Sequence, residues 1–185
     1  MADRISWLVL LYRIPSEPSR LRAAVWRRLK AAGAVYLAGS VAALPASPAA
    51  ERSLRRLRHD VCDMGGSAQL LRAEALAGQP DVIAAFNAAR DGQYIDIAAR
   101  CRDLLTEIES AATAGHFTYA KLEEKAAVLA KLAGRYEQVR AVDAFCASES
   151  EPASSALAGC REALNGFAER TYRAEDGNGS NDQQL

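Results

Sequence analysis

Two short stretches concentrate the side chains best suited to binding chemistry. Arg20, Arg22, Arg27, Arg28 and Lys30 fall in one, and Arg52, Arg55, Arg56 and Arg58 in the other. A guanidinium presents a flat fork of N–H donors that grips a phosphate through paired hydrogen bonds, so this set is a candidate surface for nucleic-acid phosphates. Trp26 is the only aromatic residue interleaved with it, which favours contact with a duplex backbone over stacking along single strands. Arg13 and Arg28 form a second candidate, an anion site near the first strand and first helix. The plainer alternative is that these cations hydrate two amphipathic helices or dock on an acidic part of the protein.

Catalytic patterns are missing from the sequence. It contains no G-x-x-x-x-G-K-[ST] phosphate loop, G-x-G-x-x-G turn, G-x-S-x-G elbow or H-E-x-x-H helix. His59 belongs to the second basic stretch and His116 to a turn, so both are expected at the surface. The carboxylate pairs Glu107 with Glu109 and Glu123 with Glu124 sit in periodic helical sequence, where charge is normally the solvated face. Cys62, Cys101, Cys146 and Cys160 lack zinc-site spacing and are expected to be small buried hydrophobes. The chain is expected not to be an enzyme, and to carry no metal and no cofactor.

The elements that must position the cations follow from periodicity. Residues 5–13, ISWLVLLYR, read as a strand with Trp7, Val9 and Leu11 on one face and Leu8, Leu10 and Tyr12 on the other. A strand apolar on both faces demands cover on both. Leu21, Val25 and Leu29 give a helical stripe over 18–32, stopped at Gly33. At about 100° per residue, Arg20, Arg27 and Lys30 point away from that stripe, Arg22 and Trp26 flank it, and Arg28 lies close to it. Residues 34–45 have the composition of a hairpin. Ser47 and Pro48 open a second helix with Leu54, Leu57 and Val61 inward, stopped at Gly65 and Gly66, and residues 67–76 form a fourth strand. This βαββαβ order is the ferredoxin-like pattern and puts both basic helices on one face of one sheet.

Residues 77–81 read as a linker. Beyond it every apolar period is helical: a short helix over 81–90, stripes over 94–112 and 122–139 joined by a turn at 113–118, and a third stripe over 157–167. The expectation is an α+β chain, with a ferredoxin-like domain over 1–76, an antiparallel helical bundle over 77–173, and a disordered tail over 174–185. The longest apolar run, Trp7–Tyr12, falls far short of the roughly 20 residues that span a bilayer. With no signal-peptide pattern either, no membrane partner is expected and the cytoplasm is the expected location.

The neutral total conceals a division of charge. Residues 1–76 hold 12 Lys or Arg against 6 Asp or Glu, and residues 77–185 hold 11 against 17. Such separation suits either a basic unit made for a polyanion or two segments that attract each other.

Four stretches carry a family likeness: WLVLLYRIPSEPSRLRAAVWRRLKAAGAVYL at 7–37, FNAARDGQY at 86–94, GHFTYAKLEEKAAVLAKLAGRYEQVRAVDAF at 115–145 and CREALNGFAERTY at 160–172. In the same order they resemble the N-terminal region of ChrB, the chromate-resistance regulators of bacterial chromate operons. The resemblance implies a transcriptional regulator that binds promoter DNA, acts beside a chromate transporter and responds to chromate or another oxyanion. It also implies a further C-terminal domain in longer members, which this chain is expected to lack. Residues 1–76 are also similar to the sheet domain of the phenylacetate repressor PaaX and, through it, to the CRISPR-adaptation endoribonucleases. Those nucleases place an acidic metal ligand where Tyr12 and Arg13 stand here, and a cation there repels a metal, so nuclease chemistry is not expected. A homodimer is expected, with a second subunit covering an apolar sheet face. The rival expectations are an interaction module that does not bind DNA, and an oxyanion-binding enzyme using Arg13 and Arg28.

Overall fold

The computed structural model describes residues 5–179 apart from residues 16 and 18. Its elements run β1 (Ser6–Arg13), α1 (Ser19–Ala31), β2 (Val35–Ala38), β3 (Val41–Pro45), α2 (Pro48–Asp63), β4 (Ser67–Glu74), α3 (Gln79–Thr113), α4 (Tyr119–Arg140) and α5 (Ser150–Gly179). The chain is therefore α+β, with the βαββαβ order read from the sequence followed by helices.

It divides into two compact units. One comprises the residues up to Ala89 together with Val142–Cys146; the other comprises Arg90–Ala141 and the residues from Ala147 onward.

In the first unit the four strands form one antiparallel sheet in the order β2-β3-β1-β4. β1 sits inside because both its faces are apolar and both its edges pair: Leu10 lies opposite Ala42 on β3 and Leu70 on β4. Its Leu8 and Leu10 pack with Val25 and Leu29 of α1 and with Leu54, Leu57 and Val61 of α2, all buried. Burying each of these side chains contributes about 1.5–3 kcal/mol, so this face anchors both basic helices.

The opposite face answers the demand for a second cover. Trp7 is buried against Phe86, with Val82, Ile83 and Phe145 packed around them. Ring centroids lie 5.4 Å apart for Trp7 and Phe86, 5.9 Å for Trp7 and Phe145, and 5.6 Å for Phe86 and Phe145. The cover over Trp7 thus comes from the chain itself. This cluster also explains why the compact units do not divide at residues 76 and 77: the first turns of α3 and the segment around Phe145 supply the sheet's second layer. Gly33 closes α1 in the left-handed region at φ +80°, and an added Cβ would fall 2.6 Å from Cβ of Val142. A side chain there would strain the backbone and push the 142–146 segment away.

Two helix boundaries differ from the sequence expectation. The short helix over 81–90 is the beginning of a single helix, α3, reaching Thr113. Gly92 is the one breaker inside it, and an interior glycine costs only about 1 kcal/mol relative to alanine. α5 continues to Gly179, past Arg173 where a disordered tail was expected. Residues 180–185 lie outside the described residues.

The second unit is built by residues of α3, α4 and α5 around Tyr94, Ile97, Cys101, Leu104, Leu129, Leu132, Tyr136, Leu157, Cys160 and Phe167. Asp91 fastens the start of α5, accepting hydrogen bonds from the Glu149 backbone N–H at 2.8 Å and the Ser148 hydroxyl at 3.3 Å. Lys125 is buried, with its Nζ 3.7 Å from Glu107.

Candidate nucleic-acid interface

All nine cations of the candidate surface are exposed, and both helices that carry them lie on the Leu8/Leu10 face of the sheet. Within that layer they separate into three groups, because a helix turns about 100° per residue and each azimuth meets different neighbours.

Arg20 and Arg27 on α1, and Arg52 and Arg56 on α2, lie opposite the buried stripes of their helices. Among the described residues none of the four pairs with a carboxylate. His59 shares their side of α2 and lies 3.4 Å from the Asp63 carboxylate, both exposed. These four arginines are the part of the surface that faces away from the sheet and is free to receive an outside anion.

A second group is engaged inside the layer. Arg28, beside the core stripe of α1, is ion-paired and hydrogen-bonded to Asp60 of α2 and so ties the helices together. Arg55 donates to Glu51 one turn earlier, from Nη2 at 2.7 Å and Nε at 3.0 Å. Arg72 of β4 reaches the other oxygen of the same carboxylate at 2.7 Å. The Arg55 hydrogen bond and the nearby Arg72 charge hold the Glu51 carboxyl below its usual range. Arg58 donates to the backbone carbonyl of Ala68 at 3.2 Å, joining α2 to β4.

The third group flanks the sheet edge at β2. Arg22, Trp26 and Lys30 follow one another at four-residue steps, a single row along α1. The Lys30 ammonium lies 4.9 Å from the centroid of the Trp26 ring, a cation–π contact.

Arg13 stands at the end of β1 and lines two pockets. One, of about 490 Å³, includes Arg58, Cys62, Gly66 and Ser67. The other, of about 500 Å³, includes Tyr12, Arg22, Trp26, Tyr36 and Ser40. Arg28 lines neither and turns instead to Asp60, so the expected Arg13–Arg28 site is not assembled in either pocket; Arg22 takes the place beside Arg13. The wheel position of Arg22 on the flank of α1 was the available signal, but which flank faces β1 depends on helix docking. Arg72 as a partner of Glu51 is likewise a product of strand placement.

The cysteines divide. Cys101 and Cys160 are buried as expected, and the Cys160 thiol donates to the Cys101 carbonyl at 3.3 Å. Burial pushes the Cys101 thiol up to about 12, helped by the neighbouring Cys160. Cys62 and Cys146 are exposed, contrary to the expectation for all four. Cys62 follows Val61 on α2, outside the apolar stripe, and Cys146 has φ +55° in the segment after α4. His59 and His116 are both exposed. Among the described residues no three His, Cys, Asp or Glu side chains gather into a metal-binding set. No helix among them is long and apolar enough to cross a membrane.

These features define an α+β protein whose sheet carries a cationic pair of helices on one face. Residues 22–178 match the family described as protein ChrB, N-terminal, and the chain belongs to that family. The match starts within α1 and runs through most of α5. A search of curated proteins returns no match.

Proposed function

We propose that this chain is a ChrB-like regulator in chromate resistance, and that its α1/α2 layer contacts the phosphates of promoter DNA. Family membership supplies the setting of chromate resistance. One structural observation supports the DNA role: Arg20, Arg27, Arg52 and Arg56 stand exposed on two adjacent helices of one layer with no carboxylate partner among the described residues. Fixed cations that no internal acid neutralises favour a polyanion, and releasing its counterions drives binding. In this proposal the protein works in the cytoplasm as a homodimer, carries out no catalytic step, and responds to chromate or another oxyanion.

Titrating salt against binding to the DNA upstream of its own gene tests the proposal. A steep loss of affinity from low to moderate salt is expected, and a flat response removes the phosphate contacts. A second reading is an interaction module without DNA binding. It draws on the acids that already engage part of the set, Asp60 with Arg28 and Glu51 with Arg55 and Arg72. Affinity for a partner protein without affinity for the duplex distinguishes it.

A further inference from the structure

The pocket at the β2 edge has a composition that duplex phosphates do not require. It is lined by Tyr12 and Arg13 from β1, Arg22 and Trp26 from α1, Tyr36 from β2, and Gly39 and Ser40 from the turn between β2 and β3. It also includes Ile14. Two arginines line the space and, among the described residues, no carboxylate does. The Tyr12 and Tyr36 hydroxyls hydrogen-bond to each other at 2.9 Å, and the Tyr12 backbone N–H donates to the Ser40 carbonyl at 3.1 Å. Strand, hairpin turn and aromatic rings are thereby locked together on one side of the pocket. Burial, together with the hydrogen bond shared with Tyr12, raises the Tyr36 hydroxyl above the ordinary tyrosine range. The Tyr36 phenol therefore stays neutral and does not repel an anion.

Trp26 lines the pocket as well and lies off the buried stripe of its helix. The apolar stripe of α1 is Val25 and Leu29, both fully buried, whereas Trp26 is 48% exposed. An exposed indole next to two arginines, with an ammonium near its ring, combines a stacking surface with anion donors. A small oxyanion engages the arginines but has no use for the indole. Stacked base pairs inside a duplex cannot reach it. A planar base carrying a phosphate uses both, and about 500 Å³ suits a ligand of that size.

We propose that this pocket binds a nucleotide, with the base stacked on Trp26 and the phosphate held by Arg13 and Arg22. The nucleotide is either free or an unpaired residue of a strand. The site is separate from the duplex surface formed by Arg20, Arg27, Arg52 and Arg56, so the proposal goes beyond the DNA-regulator reading.

The test is tryptophan fluorescence of the full chain titrated with AMP, with inorganic phosphate, with an eight-residue oligothymidylate and with a blunt duplex. Trp7 is buried and provides a constant background, so quenching reports Trp26. AMP or the oligonucleotide is expected to quench, phosphate to displace AMP without quenching, and the blunt duplex to leave the signal unchanged. Tighter binding of the oligonucleotide than of AMP identifies a strand as the source; equal or weaker binding identifies the free nucleotide. Arg13→Gln and Arg22→Gln should each weaken binding about tenfold, and Trp26→Ala, followed by calorimetry, should do the same. No quenching by either nucleotide ligand, or unchanged affinity in both arginine variants, overturns the proposal. A flat salt response of duplex binding with AMP quenching intact refutes the duplex surface and leaves the pocket standing.

Discussion

Replacing Arg20, Arg27, Arg52 and Arg56 together with glutamine is the sharpest perturbation of the proposed DNA surface. Each phosphate contact on a duplex contributes about 0.9 to the slope of log affinity against log salt, so four contacts contribute about 3.6. Raising salt fourfold, from about 50 to about 200 mM, should then weaken wild-type binding through these contacts by about 150-fold. The quadruple variant should lose that part of the slope and converge with the wild type at high salt. Arg28→Gln and Arg55→Gln are the contrast, because their guanidinium groups already face Asp60 and Glu51. Those pairs are open to solvent, so breaking one costs little stability, and the salt slope should hardly change. Fluorescence anisotropy of a labelled duplex from upstream of the protein's own gene measures all three. If the quadruple variant keeps the wild-type slope, or if Arg28→Gln and Arg55→Gln flatten it equally, the division into free and engaged arginines is wrong.

Phe86→Ala should destabilise the sheet unit by about 3 kcal/mol in chemical denaturation and red-shift the emission of Trp7, since it removes a buried ring stacked at 5.4 Å. An unchanged midpoint and emission would exclude Phe86 from the sheet's second layer. Near pH 8 a thiol reagent should label Cys62 and Cys146 promptly, and Cys101 and Cys160 only after unfolding, because the latter pair is buried and shifted upward. Mass mapping of the labelled peptides checks this, and early labelling of Cys101 would contradict the packed bundle. Asp91→Ala should cost about 1 kcal/mol by freeing the Glu149 N–H and the Ser148 hydroxyl at the start of α5. Faster amide exchange at the first turn of α5, with α4 unaffected, would show that the loss is local.

Much of the local structure follows from sequence pattern alone, for a definite reason. The short apolar run Trp7–Tyr12, the stripe of Leu21, Val25 and Leu29, and the stop at Gly33 are each set by residues a few positions apart, so strand, helix and boundary emerge without distant contacts. The same local geometry turns Arg20, Arg27, Arg52 and Arg56 away from the core and sets Arg22 and Trp26 on a flank. Where periodicity carries through a weak breaker it misleads about length, as at Gly92, which one glycine cannot interrupt. α5 likewise continues beyond its last apolar anchor.

Azimuth within one helix says nothing about what the next element brings to it. Only docking on the sheet put Asp60 against Arg28, placed Arg72 across Glu51 from Arg55, and gave Arg13 the company of Arg22. The same holds for Phe86 and Phe145, separated by 59 positions, which meet on Trp7 because its face of β1 needed cover that its neighbours in sequence could not provide. The sequence by itself determined which cations exist and which way each leaves its helix; tertiary structure decided which of them are already neutralised, because pairing requires distances that span the fold.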